Sequence, residues 1–289
     1  MNRTFFIAEV SSNHHRDLER CFNFIDTAAQ MGCDAVKFQL FKIDRLFAPE
    51  VLVASEQHRN RAQWELPPEY LPRLASRCRQ QKIAFACSPF DLEAVDLLQP
   101  HVAFFKIASY ELLWHDLLRK VAQTGIPVIL STGMADLAEV KAAVDCLDQA
   151  GQSRPTLLHC SSAYPTPADQ ANLAAIETLR QATGLPVGWS DHSRDPAVIY
   201  RAVHRWGAET VEFHLDLEGE GGEFGAGHCW LPQQMAPVIK NLNRGLSADG
   251  DGRKQPNPAE LPDRMWRTDP VDGLRPLRSI RDHLNMEDS

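Results

Sequence analysis

The chain has 289 residues, of which 44% are hydrophobic and 24% charged, and this composition excludes a fibrous or disordered protein. Its 38 acidic and 30 basic side chains give a formal net charge of -8, which argues against a nucleic-acid-binding surface. No apolar run reaches the roughly 20 residues that a bilayer requires, and no signal-peptide pattern precedes the first apolar run. We therefore expect a cytoplasmic protein that makes no membrane contact.

Eight short apolar runs recur along the chain and alternate with segments of helical periodicity. The runs predicted to be strands are Thr4–Val10, Ala35–Leu40, Ile83–Ala86, Phe104–Ile107, Val128–Ser131, Thr156–Cys160, Val187–Ser190 and Thr210–His214. The segments predicted to be helices are Leu18–Met31, Pro68–Gln81, Leu112–Thr124, Leu137–Ala150, Asn172–Thr183, Ala197–Trp206 and Pro232–Leu246.

This alternation predicts an α/β fold, a (β/α)8 TIM barrel with parallel strands buried on both faces. An open doubly wound sheet is the structural alternative. We favour the barrel because the units number eight and no glycine-rich dinucleotide loop follows the first strand. We expect residues 1–246 to form the barrel and residues 247–289 to form a linker and short tail. The charged insertion Phe41–Leu66 predicts either a lid or a solvated surface loop.

The chain contains seven cysteines, an odd number, and none of them stands in a C-x-x-C pair. This spacing argues against a disulfide framework and against a structural zinc site. We expect most of these cysteines to be small core residues.

Polar side chains follow the predicted strands at the edge where a parallel barrel places its reactive groups. Lys37 and Lys106 are embedded in apolar runs, where an ammonium group is costly unless an anion meets it, so they suggest a phosphate or carboxylate ligand. Several strand-end serines and the neighbouring helix N-termini suggest a phosphate cradle. His192 and His214 end adjacent strands and could share one divalent ion.

Ordered motifs at these strand ends carry a family resemblance. They are Ile7-Ala8-Glu9-Val10 with Asn13-His14, Asp34-Ala35-Val36-Lys37-Phe38-Gln39, Ser88-Pro89-Phe90-Asp91, Lys106-Ile107-Ala108-Ser109 with Glu111, Leu130-Ser131-Thr132-Gly133-Met134, Leu157-Leu158-His159-Cys160-Ser161, Tyr164-Pro165-Thr166-Pro167, Gly188-Trp189-Ser190-Asp191-His192 and Glu212-Phe213-His214. Together they resemble the N-acetylneuraminate (sialic acid) synthase family over roughly residues 5 to 235.

The resemblance implies a (β/α)8 enzyme, a transferase that condenses phosphoenolpyruvate with an N-acetylmannosamine-type sugar. The products would be a nine-carbon 2-keto sugar acid and phosphate, for use in surface polysaccharide. It also implies a divalent ion, Mn²⁺ or Mg²⁺, and a homodimer.

The resemblance further assigns roles to individual residues. Phosphoenolpyruvate contacts fall on Lys37, Ser88, Lys106, Ser109, Ser131, Ser162 and Ser190. Sugar contacts fall on Asn13, Gln39 and Tyr164, and metal contacts fall on His192 and His214. The acidic pair Glu9 and Glu111 is implied to orient the substrate and transfer protons.

The chain departs from the family pattern in three places. His15-Arg16 replaces a common Asn-Gly, and after the last strand the usual aspartate has no secure equivalent, with Glu223 and His228 as candidates. The resemblance covers the barrel only. We expect this chain to lack the antifreeze-like domain whose arginine, in many bacterial members, covers the partner's sugar site, so a different acceptor sugar is one expectation.

Two other functions remain open from the sequence. One is a non-catalytic or partner-dependent barrel of the same family that binds phosphoenolpyruvate but has lost acceptor turnover. The other is a Schiff-base aldolase with Lys106 as nucleophile, since barrel lysines in apolar surroundings can have a lowered pKa.

Overall fold

The structure, a computed structural model, describes residues 3–152, 154–220 and 222–284. Eight strands in this part of the chain form one closed parallel barrel in the order β1 to β8, and β8 pairs with β1. They are β1 (Phe5–Glu9), β2 (Ala35–Leu40), β3 (Ala84–Pro89), β4 (Phe104–Ile107), β5 (Val128–Ser131), β6 (Thr156–His159), β7 (Val187–Asp191) and β8 (Thr210–His214). The predicted (β/α)8 barrel is confirmed, and the open sheet is excluded.

Helices connect the strands and follow the last of them. They are α1 (Leu18–Met31), α2 (Ile43–Leu46), α3 (Pro49–Ala54), α4 (Glu56–Arg59), α5 (Leu71–Gln81), α6 (Leu92–Leu98), α7 (His115–Gln123), α8 (Leu137–Gln149), α9 (Ala175–Thr183), α10 (Pro196–His204), α11 (Gly222–Gly225), α12 (Pro232–Ala248), α13 (Leu261–Arg264) and α14 (Arg278–Leu284). None of the helices in the described ranges has the length and apolar character needed to cross a membrane.

Helix α1 shows how local sequence sets these boundaries. Asp17 caps its first turn, where the carboxylate accepts hydrogen bonds from the backbone N–H groups of Glu19 and Arg20. Gly32 ends the helix with a φ of 88°, a left-handed conformation that favours glycine. The predicted bounds of this helix are therefore the observed ones.

Alternating side-chain direction along the strands places a charged layer above an apolar one inside the barrel. Ile7, Ala35, Ala86, Phe104, Ile129 and Leu158 form the apolar layer. Side chains two positions further along a strand point to the same face. The next inward layer therefore includes Glu9, Lys37, Ser88, Lys106 and Ser131, at the carboxyl end of the barrel where loops open to solvent.

The insertion after β2 is more ordered than the predicted loop, because residues 41–66 form the short helices α2, α3 and α4 followed by a 3-10 turn, Asn60–Trp64. The short helix α6, between β3 and β4, was also not predicted. All seven cysteines are free and buried.

Residues up to Leu246 form one compact unit, and those from Ser247 onward form a second. In the second unit Asp269 accepts hydrogen bonds from the backbone N–H groups of Val271 and Arg278. The division of roles between barrel and tail stays a prediction.

Candidate active site

A cavity of about 690 Å³ opens at the carboxyl end of the barrel. Eleven of the fourteen site residues predicted from the sequence line it. They are Glu9, Lys37, Gln39, Lys106, Ser109, Glu111, Ser131, Tyr164, Ser190, His192 and His214. The cavity therefore brings together groups from most of the barrel strands in one place.

Two buried lysines and two buried carboxylates form the floor of this cavity. The Lys37 ammonium nitrogen lies 2.6 Å from Glu9 Oε2 and 3.8 Å from Glu212 Oε2. The Lys106 nitrogen lies 3.4 Å from Glu212 Oε1, which also accepts a hydrogen bond from Ser190. The two lysine charges are thus already paired with carboxylates inside the protein. The apolar runs that contain the lysines did not predict this pairing.

Charge pairing outweighs burial at two of these groups. Burial lowers the pKa of Lys37, but Glu212 and Glu9 raise it above its usual value. Burial raises the pKa of Glu212, but Lys106 and Lys37 bring it down to about 2. At Lys106 burial prevails, and the pKa is lowered despite Glu212. The floor therefore holds the ionised Glu212 carboxylate beside one strongly held ammonium, Lys37, and one that gives up its proton more readily, Lys106.

Glu111 is a carboxylate of the cavity that forms no ion pair within the described residues. It lies just after β4, is 8% exposed, and its Oε2 has no hydrogen-bond partner within the described residues. Burial raises the pKa of Glu111 to about 7, although Lys106 acts in the opposite direction. A carboxyl with this pKa can accept or donate a proton near neutral pH.

Gly133 lies against a ring of small polar side chains at the cavity edge. A Cβ atom at this position would lie 2.4 Å from Ser162 Oγ and 2.9 Å from Ser109 Oγ. The backbone N–H of Gly133 donates to Ser109 Oγ at 3.0 Å. Only glycine leaves this space open, and the phosphate cradle of serines stays a prediction.

Another corner of the cavity is lined by the rings of His192, His214 and Tyr164, and His228 packs against His214. The ring centroids of His192 and His214 are 5.3 Å apart, and those of His214 and His228 are 4.7 Å apart. Tyr164 packs on His192 with centroids 4.2 Å apart. The His192 Nδ1 atom lies 2.7 Å from the Ser161 carbonyl oxygen.

This corner fits a divalent cation. Burial lowers the pKa of His192 to about 3, so its ring is neutral, the form that binds metal ions. If Nδ1–H donates a hydrogen bond to the Ser161 carbonyl, the lone pair of the other ring nitrogen is left to bind a metal ion. Beside it, the donor atoms of His214, Glu223, His228 and Cys229 all lie within 4.8 Å of one another. Nitrogen, oxygen and sulfur donors at this spacing are typical of metal sites.

Three predicted site residues do not line the cavity. Ser88 is fully buried beneath it, and its hydroxyl accepts from Lys37 at 3.4 Å. Ser162 lies behind Gly133, with its Oγ buried and without a partner in the described chain. Asn13 is turned inward, where its amide donates to the Leu215 carbonyl. The predicted sugar contact of Asn13 has no support in this geometry, because the amide is engaged inside the protein.

The insertion after β2 forms the outer wall of the cavity. Phe47, His58, Arg61 and Trp64 all line it. The Arg61 guanidinium lies over the rings of Phe47 and Trp64, 5.5 Å from each centroid. Of the two predicted alternatives, a cavity-covering segment describes this insertion better than a solvated loop.

Sequence reasoning did not assign roles to Glu212 and Cys229. Glu212 stands in the recognised Glu212-Phe213-His214 motif, and its strand-end position was the available signal. Nothing in the local sequence marks Cys229 as different from the six other buried cysteines.

The fold and this cavity define a (β/α)8 barrel with a lysine–carboxylate floor and an imidazole-rich corner. Residues 24–254 match the NeuB family, so the chain belongs to that family. The resemblance seen in the sequence is confirmed.

Two relatives and one solved structure extend this finding. The chain is 35% identical over 275 residues to an N,N'-diacetyllegionaminic acid synthase of Campylobacter jejuni, covering 90% of this chain and 81% of the relative. It is 34% identical over 277 residues to the spore coat polysaccharide biosynthesis protein SpsE of Bacillus subtilis, covering 91% and 73%. The crystal structure of an N-acetylneuraminic acid (sialic acid) synthetase of Leptospira borgpetersenii, in complex with citrate, superposes with a TM-score of 0.79 and 31% identity, covering 91% of this chain and 90% of that chain.

Proposed function

We propose that this chain condenses phosphoenolpyruvate with the open-chain aldehyde of an N-acylated amino sugar of the N-acetylmannosamine type. The reaction consumes one water and releases phosphate and a 2-keto sugar acid. The observation that carries the proposal is the meeting of Lys37, Lys106 and the uncommitted Glu111 in one cavity. Relatives named as synthases of diacetyllegionaminic acid and of sialic acid support the same class of reaction.

The floor of the cavity is the proposed site for the enol phosphate. The charges of Lys37 and Lys106 are balanced by Glu9 and Glu212, so the floor by itself is close to neutral. A multiply charged anion therefore needs further donors, which the hydroxyls of Ser109 and Ser131 would supply. The lysines then stabilise the charge of the departing phosphate.

The imidazole corner is the proposed site for a divalent cation and the sugar carbonyl. His192 and His214, with Glu223 beside them, would hold the ion. When bound, such an ion polarises a carbonyl oxygen and adds positive charge next to the floor. Tyr164, which is 40% exposed and packs on His192, is placed to contact the sugar.

Glu111 is the proposed general base. A carbon–carbon bond forms between C3 of phosphoenolpyruvate and the aldehyde carbon, and positive charge develops at C2. Glu111 then takes a proton from the water that adds at C2, and the former aldehyde oxygen gains a proton to become a hydroxyl. The new C2 hydroxyl becomes the keto group as the C2–O bond to phosphate breaks, and its proton leaves with the phosphate. Glu9 is the weaker candidate, because its two oxygens contact Lys37 and Gln39.

The test is phosphate release from phosphoenolpyruvate across a panel of N-acetylated hexoses with a divalent ion present, scored with product mass. We expect release with at least one sugar, and none when the sugar is omitted. No release with any sugar, while phosphoenolpyruvate still binds in calorimetry, would instead indicate the non-catalytic or partner-dependent barrel.

Lys106 is buried and its pKa is lowered, so Schiff-base formation on this lysine must also be tested. A Schiff-base aldolase would be trapped on Lys106 by borohydride in the presence of pyruvate. We expect no trapped adduct.

We also propose that the barrel unit is the catalytic domain and that the protein is a cytoplasmic homodimer. Sedimentation velocity should show the dimer.

A further inference from the structure

The loop after β8 brings three potential metal donors next to His214. Glu223, His228 and Cys229 follow that strand, and their donor atoms and that of His214 are mutually within 4.8 Å. Glu223 Oε2 is the hub of the group, 3.4 Å from His214 Nδ1, 3.8 Å from His228 Nε2 and 4.0 Å from Cys229 Sγ. An ion with tetrahedral nitrogen, oxygen and sulfur ligands holds its ligand atoms about 3.4–3.6 Å apart. The four side chains therefore need only small shifts to share one ion.

His228 supplies an independent indication of a missing ligand. Its ring is 5% exposed, and neither ring nitrogen makes a hydrogen bond within the described residues. The 3.8 Å distance to Glu223 is too long for a hydrogen bond. The buried Nδ1 atom is unfavourable without a partner, because it has lost water and gained no hydrogen bond. Nε2 is the ring nitrogen nearer Glu223 and stays available to a cation.

The surrounding residues orient the donors toward one point. Glu223 Oε1 accepts from the hydroxyls of Ser11 and Ser12, each at 2.6 Å, and from the Ser12 backbone N–H at 3.1 Å. This leaves Oε2 facing the other three donors. The Asn13 amide donates to Cys229 Sγ at 3.7 Å, which positions the sulfur. Outer contacts of this kind are a usual support of metal ligands.

We propose that Glu223, His228 and Cys229 bind the divalent cation together with His214, and that the Cys229 thiolate selects a borderline-soft ion such as Zn²⁺, Fe²⁺ or Co²⁺ over Mg²⁺. Thiolate and imidazole ligands favour these ions, whereas Mg²⁺ prefers oxygen ligands. His214 and Glu223 also line the cavity, so an ion bound here borders the space proposed for the substrates. These four protein ligands leave a fifth position for His192 or for a substrate oxygen if the ion becomes five-coordinate, as zinc sites can.

The use of this ion in catalysis rests on the proposed function, but its binding can be measured without substrate. The full chain, stripped of metal, is titrated with Co²⁺ and followed by near-ultraviolet absorption. We expect a sulfur-to-cobalt charge-transfer band that saturates at one ion per chain. Zn²⁺ should displace the cobalt, and a large excess of Mg²⁺ should not.

Variants then assign the band to Cys229. Cys229→Ser should abolish it and weaken Co²⁺ binding at least about 10-fold. Cys78→Ser is the matched control, because Cys78 is buried in α5 and its loss should leave the band unchanged. His228→Gln should weaken binding while the band remains, and it tests the site even if Cys229→Ser does not fold.

No band in the folded wild-type chain, a band that survives Cys229→Ser, or displacement by Mg²⁺ would each overturn the proposal. A band without sugar turnover would leave this site standing and remove the proposed function. If Cys229→Ser with Mg²⁺ releases phosphate as fast as the wild-type chain does, the proposed function stands and this metal site is removed.

Discussion

The Glu212 carboxylate lies 3.4 Å from the Lys106 ammonium nitrogen, and both side chains are almost completely buried. The same carboxylate also faces Lys37 at 3.8 Å. One acidic side chain thus holds together two cationic groups that the proposed function needs in one place. We therefore expect the removal of the Glu212 carboxylate to lower the free energy of unfolding.

Glu212→Gln should lower the free energy of unfolding by about 3–5 kcal/mol, because it leaves Lys106 buried without its counter-charge. Denaturant unfolding followed by circular dichroism measures this. The control is Glu177→Gln on the outside of α9, where the partly exposed pair with Arg180 should contribute less than about 1 kcal/mol. Equal stability losses in the two variants would contradict the role given to Glu212.

Glu111 predicts a pH dependence of both rate and stability. Its pKa in the folded protein is raised to about 7 from 4.5. As a general base it must be ionised, so the rate should rise with pH through about 7. The folded state binds this proton more tightly than the unfolded chain, so the associated stability is full below pH 4.5 and is lost as pH rises through about 7.

Glu111→Gln checks the assignment of both pH effects. It should reduce the turnover rate by about 10²–10⁴ and remove the rise near neutral pH. It should also flatten the fall in unfolding free energy over the same interval. A variant that keeps the wild-type rate profile would show that another group accepts the proton.

Gly133→Ala tests the phosphate cradle. The added methyl group would meet Ser162 Oγ at 2.4 Å and Cys160 Sγ at 3.0 Å, so we expect a stability loss of about 1–3 kcal/mol and a higher KM for phosphoenolpyruvate. Gly245→Ala is the control, because its nearest neighbour would be 3.8 Å away and helix α12 should become slightly more stable. An unchanged KM in a folded Gly133→Ala variant would remove the cradle.

Arg61→Gln tests the outer wall of the cavity. Arg61 stacks on Phe47 and Trp64, and its Nε has no hydrogen-bond partner in the described residues, so it has free capacity to hold the sugar. We expect the KM for the sugar to rise about 10-fold, the value of one charged hydrogen bond, with the KM for phosphoenolpyruvate unchanged. Arg59→Gln, a change at an exposed position of the same insertion, should leave both constants unchanged.

The barrel could be predicted from sequence because its signals are local. Strand runs such as Phe104–Ile107 and caps such as Asp17 act within a few residues, and the observed bounds follow them closely. A parallel barrel gathers the carboxyl ends of its strands at one edge, and most of the predicted site residues, which follow the strands, therefore line one cavity.

What the sequence did not predict depends on contacts across the closed ring. Lys37 meets both Glu9 on β1 and Glu212 on β8, and no local pattern shows that these carboxylates neutralise it. Asn13 reads as a mouth residue, but its amide turns inward to the Leu215 carbonyl across 202 positions of chain. The placement of the insertion's Phe47 and Trp64 beside the cavity is likewise a tertiary effect.

The hydrogen bond from Ser11 to Glu223 joins residues 212 positions apart, beside the seam where β8 meets β1. A nascent chain that has emerged only through β7 therefore has both lysines but neither Glu212 nor the loop that carries Glu223. Glu9 would already be present to pair with Lys37, but Lys106 would lack its counter-charge until the last strand arrives. Closing the ring therefore also supplies the last charged groups of the cavity.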